Sequence, residues 1–318
     1  MALTVKIKVG ISSCLLGNEV RFDGGHKNSP LCSDQLSRYF DFIPECPEVA
    51  SGMSIPRKPI RLSGDINSPN VVAVHDNNIN YTEQLTTFSK NKAKQLDDLC
   101  GYIFMKKSPS CGVFRVKVFQ ENGYPAAEPG RGVYAKAVMD ANPLLPVEES
   151  GRLEDAVLRE NFITRVYAYH NWQQLTKQGL SYQTIIDFHA SYKYCLMART
   201  PTHYVELGRI LADAGNNNID ELAERYFSLL MEKLNVLATR KTHTNVLMHL
   251  QGYLKKVLST QEKQELANII EQYRTDQVPL IVPIILLKHH FNNHPDPYMT
   301  KQAYLQPYPD DLSLRNAI

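Results

Sequence analysis

The stretch Val5-Lys6-Ile7-Lys8-Val9-Gly10-Ile11-Ser12-Ser13-Cys14 decides the fold of the first half of this chain. Val5, Ile7, Val9 and Ile11 alternate with polar or small residues, which is the period of a strand, and the run ends in a small-residue turn carrying a cysteine. The unbroken apolar core of a secretory signal is missing, so none is expected. Outward from this stretch the pattern recurs. Asp41–Ile43 reads as a strand stopped by Pro44 and Pro47, with Cys46 between the prolines. Tyr102–Met105 reads as another, followed by Ser108-Pro109-Ser110-Cys111. Val71–Val74 and Val113–Phe119 are further strand candidates. Gln35–Phe40 suits a short helix. Thr82–Leu99 suits a longer one, with Leu85, Phe88, Leu96 and Leu99 on one face.

Strands alternating with helices predict an α/β domain, a Rossmann-like sheet with parallel strands and helical covers, over residues 1–160. Residues 141–153, with Pro143, Pro146 and Gly151, read as a linker or capping segment. The rest reads as an all-α domain over 161–318. Its expected helices are Leu153–Leu175, Ser181–Met197, His203–Ala214, Asn218–Leu237, His243–Leu258, Gln261–Tyr273 and Ile284–Phe291. Ser259 and Glu262 have capping-box spacing before the sixth of these. Pro279 and Pro283 suit the start of the last. The tail from His294 to Ile318 holds four prolines and is expected to wrap the surface as an irregular arm.

A chain of 318 residues is comfortable as two domains. The halves carry the same net charge but differ in side chains: 12 of 17 Tyr and 8 of 10 His lie beyond residue 150, which implies different tasks. The total charge of +2 leaves nucleic acid open as a partner, because binding follows local charge. No apolar run reaches the ~20 residues of a membrane span. The expected location is the cytoplasm, where six cysteines stay reduced and are candidates for metal or catalysis as well as for burial.

Three cysteines share a context. Cys14, Cys46 and Cys111 each follow a predicted strand in a Gly/Pro/Ser-rich turn, and ligands of parallel sheets gather beyond the carboxyl ends of the strands. Cys32, Cys100 and Cys195 lack this context and read as core packing. With no C-x-x-C pair, spacing alone leaves three buried thiols as the plain alternative. Three thiolates suit a [4Fe–4S] cluster with one open iron, and zinc is the competing metal.

Ile11-Ser12-Ser13-Cys14-Leu15-Leu16-Gly17, Val20-Arg21-Phe22-Asp23-Gly24-Gly25, Cys46-Pro47-Glu48-Val49 with Pro56-Arg57, and Ser108-Pro109-Ser110-Cys111-Gly112 together resemble the TudS family of thiouracil desulfidases. The second half is similar to the YbgA-type helical domain at Thr202-His203-Tyr204, Glu206-Leu207-Gly208-Arg209, Gly252-Tyr253 and Pro279-Leu280-Ile281-Val282-Pro283. The two together look like the fused RudS arrangement. Phe22 stands where that family usually has Tyr, and Ser54-Ile55 varies the loop before Pro56.

The resemblance implies an iron–sulfur desulfidase that converts 4-thiouridine in tRNA to uridine and releases sulfide without net redox change. It assigns the cluster to Cys14, Cys46 and Cys111, and the catalytic carboxylate and hydroxyl to Glu48 and Ser108. Taken by themselves, Glu48 reads first as a turn or cap carboxylate and Ser108 as a turn serine. Arg21, Asp23, Arg57 and Ser110 are further substrate candidates, against the alternative of an Asp23–arginine pair that staples the loop. In the second half Arg240, Lys241, Lys255 and Lys256, near Tyr253, are candidates for RNA, against the alternative of a solvated helix face. Five histidines, His203, His243, His249, His289 and His290, have no standard ligand spacing and are assigned to packing, capping or RNA contact. Three rivals remain: a desulfidase of smaller thiolated uracils only, a non-catalytic RNA-binding protein with structural zinc, and a sulfur-inserting thiolase. No Walker-type loop or S-G-G-x-D-S motif supports the last.

Overall fold

The computed structural model describes residues 6–120, 122–212 and 218–318. Val5, Ala214 and Gly215, which took part in the sequence reading, lie outside them. The chain divides into two compact units, Met1–Glu154 and Asp155–Ile318.

In the first unit, β1 (Ile7–Ser12) is followed by two irregular helical turns over Leu31–Arg38, β2 (Phe40–Glu45) and the one-turn helix α1 (Pro47–Ala50). Then come β3 (Ile60–Ser63), β4 (Asn70–Ala73), β5 (Asp76–Asn80), α2 (Thr82–Ala93), β6 (Tyr102–Phe104), β7 (Val118–Phe119), α3 (Val133–Ala141) and β8 (Val147–Glu149). One sheet has the order β2-β1-β6-β8, and every pairing in it is parallel. This is the predicted α/β sheet. Its central strands are buried on both faces, with Val9, Ile11, Ile103 and Phe104 fully covered.

Several expectations need correction; the strand expected over Val113–Phe119 is reduced to β7, and Phe40 opens β2 rather than closing a helix. β2 does not stop at Pro44 but runs to Glu45, because it is the sheet edge and an edge strand tolerates a missing N–H. Val71–Val74 belongs to a second sheet, β5-β4-β3-β7, in which β4 is antiparallel to β3 and β5. A two-residue connection between β4 and β5 allows a hairpin, not a parallel crossover. The helix from Thr82 ends at Ala93 rather than Leu99. Asp97 and Asp98 would oppose the dipole at its C-terminus, and Asp98 instead pairs with Lys8 of β1 at 2.6 Å. The 141–153 segment is no linker. It contains β8, which pairs residue for residue with β6 and completes the parallel sheet.

The second unit consists of α4 (Ala156–Gln178), α5 (Tyr182–Met197), α6 (Pro201–Ala212), α7 (Ile219–Asn235), α8 (Arg240–Tyr253), α9 (Thr260–Arg274) and α10 (Ile281–Asn293). The predicted capping box opens α9: Ser259 Oγ accepts from Glu262 N at 3.2 Å, and Glu262 Oε2 accepts from Ser259 N at 2.7 Å. Pro283 lies in the first turn of α10, where its absent N–H has no helical partner to lose. The tail is not a surface arm. Met299, Tyr304, Tyr308 and Leu314 are buried, and Leu280 N donates to Ile318 O at 2.6 Å. Arg315 is buried under the ring of Tyr304 and pairs with Glu160 at 3.4 Å.

Candidate functional site

β1, β2 and β6 are neighbours running the same way, so their carboxyl ends open at one edge of the sheet. Cys14 lies in the helical turn after β1, Cys46 immediately after β2 at the N-cap of α1, and Cys111 in the loop after β6. All three line one cavity of about 370 Å³, together with Ser12, Arg21, Glu48, Arg57, Lys107 and Ser108. The six cysteines are free thiols. Cys32, Cys100 and Cys195 are buried away from this cavity. Among the described residues no three His, Cys, Asp or Glu side chains are gathered closely enough to hold a single ion; the three thiols stand around a shared space instead.

Burial pushes the Cys14 thiol up to about 11; the nearby charge of Cys46 adds to the rise and Arg21 offsets part of it. Burial also raises Cys46, and it raises Cys111 well above the ordinary thiol range, where Cys46, Glu48 and Cys14 add to the rise and a hydrogen bond with Ser12 opposes it. Each thiol therefore resists ionisation until a cationic group enters among them.

The Cys111 turn is built with little slack. Ser108 Oγ accepts from Ser110 N at 3.2 Å and Cys111 N at 3.1 Å, so this serine serves the turn as well as lining the cavity. The first amides of α3 donate back into the same turn: Gly132 N to Gly112 O at 2.7 Å, Val133 N to Pro109 O at 3.0 Å, and Tyr134 N to Ser110 O at 2.9 Å. Groups that a helix start leaves unpaired thus fix the turn's carbonyls. Gly132 allows the approach, since a Cβ there would stand 2.5 Å from the Ser110 carbonyl carbon. On the far side, Glu149 Oε1 accepts from Val113 N at 2.8 Å and Phe114 N at 3.2 Å. Sequence reading passed over Gly132 and Glu149. Arg131-Gly132 before an apolar run is a weak signal, and a carboxylate in a three-residue strand is weaker.

Glu48 is held from both sides. Arg57 donates Nε at 2.8 Å and Nη2 at 2.5 Å to Oε2, and Ser110 Oγ donates to Oε1 at 2.7 Å. Arg57 also donates Nη2 to Val20 O at 2.9 Å. It therefore ties the Val20 loop to the carboxylate, and its side chain is only 4% exposed. Arg21 lines the cavity and pairs loosely with Asp23 at 3.7 Å; Asp23 is exposed and is not part of the wall.

The candidate RNA contacts do not form one patch. Arg240 is spent within its own fold: it pairs with Asp276 at 2.6 Å, donates to Tyr273 O at 2.6 Å and lies 4.5 Å over the Tyr273 ring. Lys241, Lys255 and Lys256 are exposed. Lys241 lies in the first turn of α8 and the other two follow its end, which puts them roughly 20 Å apart at 1.5 Å per residue. Of the histidines, His243 is buried and bonded to the Tyr304 hydroxyl at 2.8 Å, and His289 meets Asn293 at 3.1 Å. His203 is partly covered, and His249 is exposed. His290 is buried with both ring nitrogens unpartnered.

Comparison with known proteins assigns both halves. The profile of the 2-thiouracil desulfurases matches residues 9–150, and that of a protein family of unknown function, DUF1722, matches residues 193–309. The uncharacterized protein YbgA of Escherichia coli (strain K12) is 31% identical over 159 residues, which is 50% of this chain and 94% of YbgA. The chain belongs to the YbgA family and carries a 2-thiouracil desulfurase domain. Among solved structures, a [4Fe-4S]-dependent thiouracil desulfidase, TudS, is 25% identical, with a TM-score of 0.40 over 47% of this chain and 94% of that one. The cysteine cavity lies within the desulfurase domain of this YbgA-family enzyme. Among the described residues no helix is long and apolar enough to cross a membrane.

Proposed function

We propose that this desulfurase converts 4-thiouridine in tRNA to uridine, using a [4Fe–4S] cluster held by Cys14, Cys46 and Cys111. The observation that carries the proposal is that three thiols from the ends of three adjacent parallel strands share one cavity with a clamped carboxylate. The residues fit such a group. The donors are three soft sulfurs, and the cavity is in the range of roughly 300–1,000 Å³ usual for small-ligand sites. When bound, the cluster supplies an open iron matched in softness to a thiocarbonyl sulfur.

The chain's own groups do the remaining work. Replacing C=S by C=O requires water to add at carbon and a proton to reach the departing sulfur or ring nitrogen. Glu48 has lone pairs beyond those engaged by Arg57 and Ser110, and can take the proton of water and return it. The two donors fix the carboxylate's orientation before substrate arrives, which saves its ordering during the reaction. Ser108 lines the same cavity and keeps its hydroxyl proton to donate while its oxygen accepts from the turn. The tRNA assignment rests on the fused arrangement of the two domains.

The test is iron and acid-labile sulfide content after anaerobic reconstitution, with sulfide release from a thiolated uridine measured on the same samples. Replacing Cys14, Cys46 or Cys111 by Ala should abolish both, and replacing Cys32 or Cys195 should abolish neither. A stoichiometric, colourless zinc protein would overturn the proposal in favour of structural zinc.

A further inference from the structure

We propose that the groove between α2 and α3 is a second ligand site, and that it takes a small phosphorylated molecule of nucleotide size. The groove has a volume of about 770 Å³ and shares no wall residue with the cysteine cavity. Its volume lies in the range of small-molecule sites.

The charge of the rim points to a ligand. Lys90, Lys94 and Arg131 border the groove and make no ion pair among the described residues. Of the two acids on the wall, Asp140 is already paired with Lys136 at 2.5 Å, which leaves Glu128 against three cations. Such a rim favours a phosphate.

The rest of the wall sets the size of the ligand. Ile66, Val133 and Ala137 give an apolar surface for a planar ring, and Ser68 and Thr86 offer hydroxyls for a sugar. Neither surface is needed by a bare anion.

The experiment is calorimetric titration of the full-length, cluster-loaded protein with AMP and, separately, with pyrophosphate. AMP lacks the uracil ring that the cysteine cavity is proposed to accept, so failure of the desulfurase reading would leave this measurement interpretable. AMP should bind saturably, more weakly as salt is raised, and more tightly than pyrophosphate. The variant Lys90→Gln/Lys94→Gln/Arg131→Gln should bind at least tenfold more weakly at an unchanged melting temperature. No saturable AMP binding at millimolar concentration, or wild-type affinity in the triple variant, would overturn the proposal. Pyrophosphate binding as tightly as AMP would reduce the groove to an anion patch and overturn the nucleotide assignment.

Discussion

Gly132→Ala tests how the cysteine cavity is held. The residue has φ −62° and ψ 142°, a conformation open to alanine, so any effect comes from contact and not from backbone strain. The new Cβ would stand 2.5 Å from the carbonyl carbon and oxygen of Ser110 and 2.7 Å from Cys111 N. These are backbone atoms and cannot swing aside, so the turn and the start of α3 must part by roughly 1 Å. Overpacking of this kind costs about 1–3 kcal/mol. Four amide-to-carbonyl hydrogen bonds join the start of α3 to the turn, and losing two adds about 2 kcal/mol. Alanine returns about 0.4–1 kcal/mol by restricting the unfolded chain. The net loss of about 2–4 kcal/mol corresponds to a fall of roughly 5–15 °C in the melting temperature of a unit this size. Calorimetry and hydrogen exchange at the amides of Val133, Tyr134 and Ala135 measure it, together with iron retained per chain. A melting temperature within about 2 °C of wild type, unchanged exchange and full iron content would refute the claim that this contact sets the position of Cys111.

Arg57→Met leaves the Glu48 carboxylate, 14% exposed, without its cation, and should cost about 3 kcal/mol of stability and at least tenfold in activity. Adding Glu48→Gln should restore stability but not activity, and recovery of activity would show that the carboxylate does not act in the reaction. Burial lowers His189 to about 4 and His243 well below the ordinary histidine range. Above pH ~6.5 both states hold these rings neutral. As pH falls from ~6.5 toward ~4 only the unfolded chain gains the proton, so each such histidine removes about 1.4 kcal/mol of stability per pH unit. Urea midpoints across that range should fall less steeply in His189→Phe, and identical slopes would contradict this. Arg315→Met strips the partner from Glu160, whose side chain is 6% exposed, and should cost about 3–5 kcal/mol, read from the fluorescence of the single Trp172 in urea. A loss below about 1 kcal/mol would mean the tail is less integral to the second unit than its burial indicates.

The parallel sheet was legible because β1 and β6 are apolar runs ending in small-residue turns. Most helices of the second unit were legible from apolar periodicity and caps such as Ser259 with Glu262. The convergence of Cys14, Cys46 and Cys111 followed from the same strand ends, although spacing alone left buried thiols open. What escaped was short or non-local. β8 has only three residues, two of them carboxylates, and is a strand because β6 is beside it. The tail reads as an arm because its prolines are local signals, whereas Arg315 and Glu160 meet across 155 residues of chain. Arg57 was read as a group that holds a phosphate or a carboxylate at the site; the structure puts it on the cavity wall with Glu48 as its carboxylate and the Val20 carbonyl beside it, partners that no linear motif encodes. The partners of Arg240 were hidden for the same reason, since Asp276 and Tyr273 are distant in sequence.

The most direct measurement is the 4-thiouridine content of purified tRNA after anaerobic incubation with cluster-loaded protein, beside the Cys111→Ala variant. The account predicts loss of 4-thiouridine and equimolar sulfide with the wild-type chain, and neither with the variant. Undiminished 4-thiouridine with fully loaded wild-type protein would contradict it.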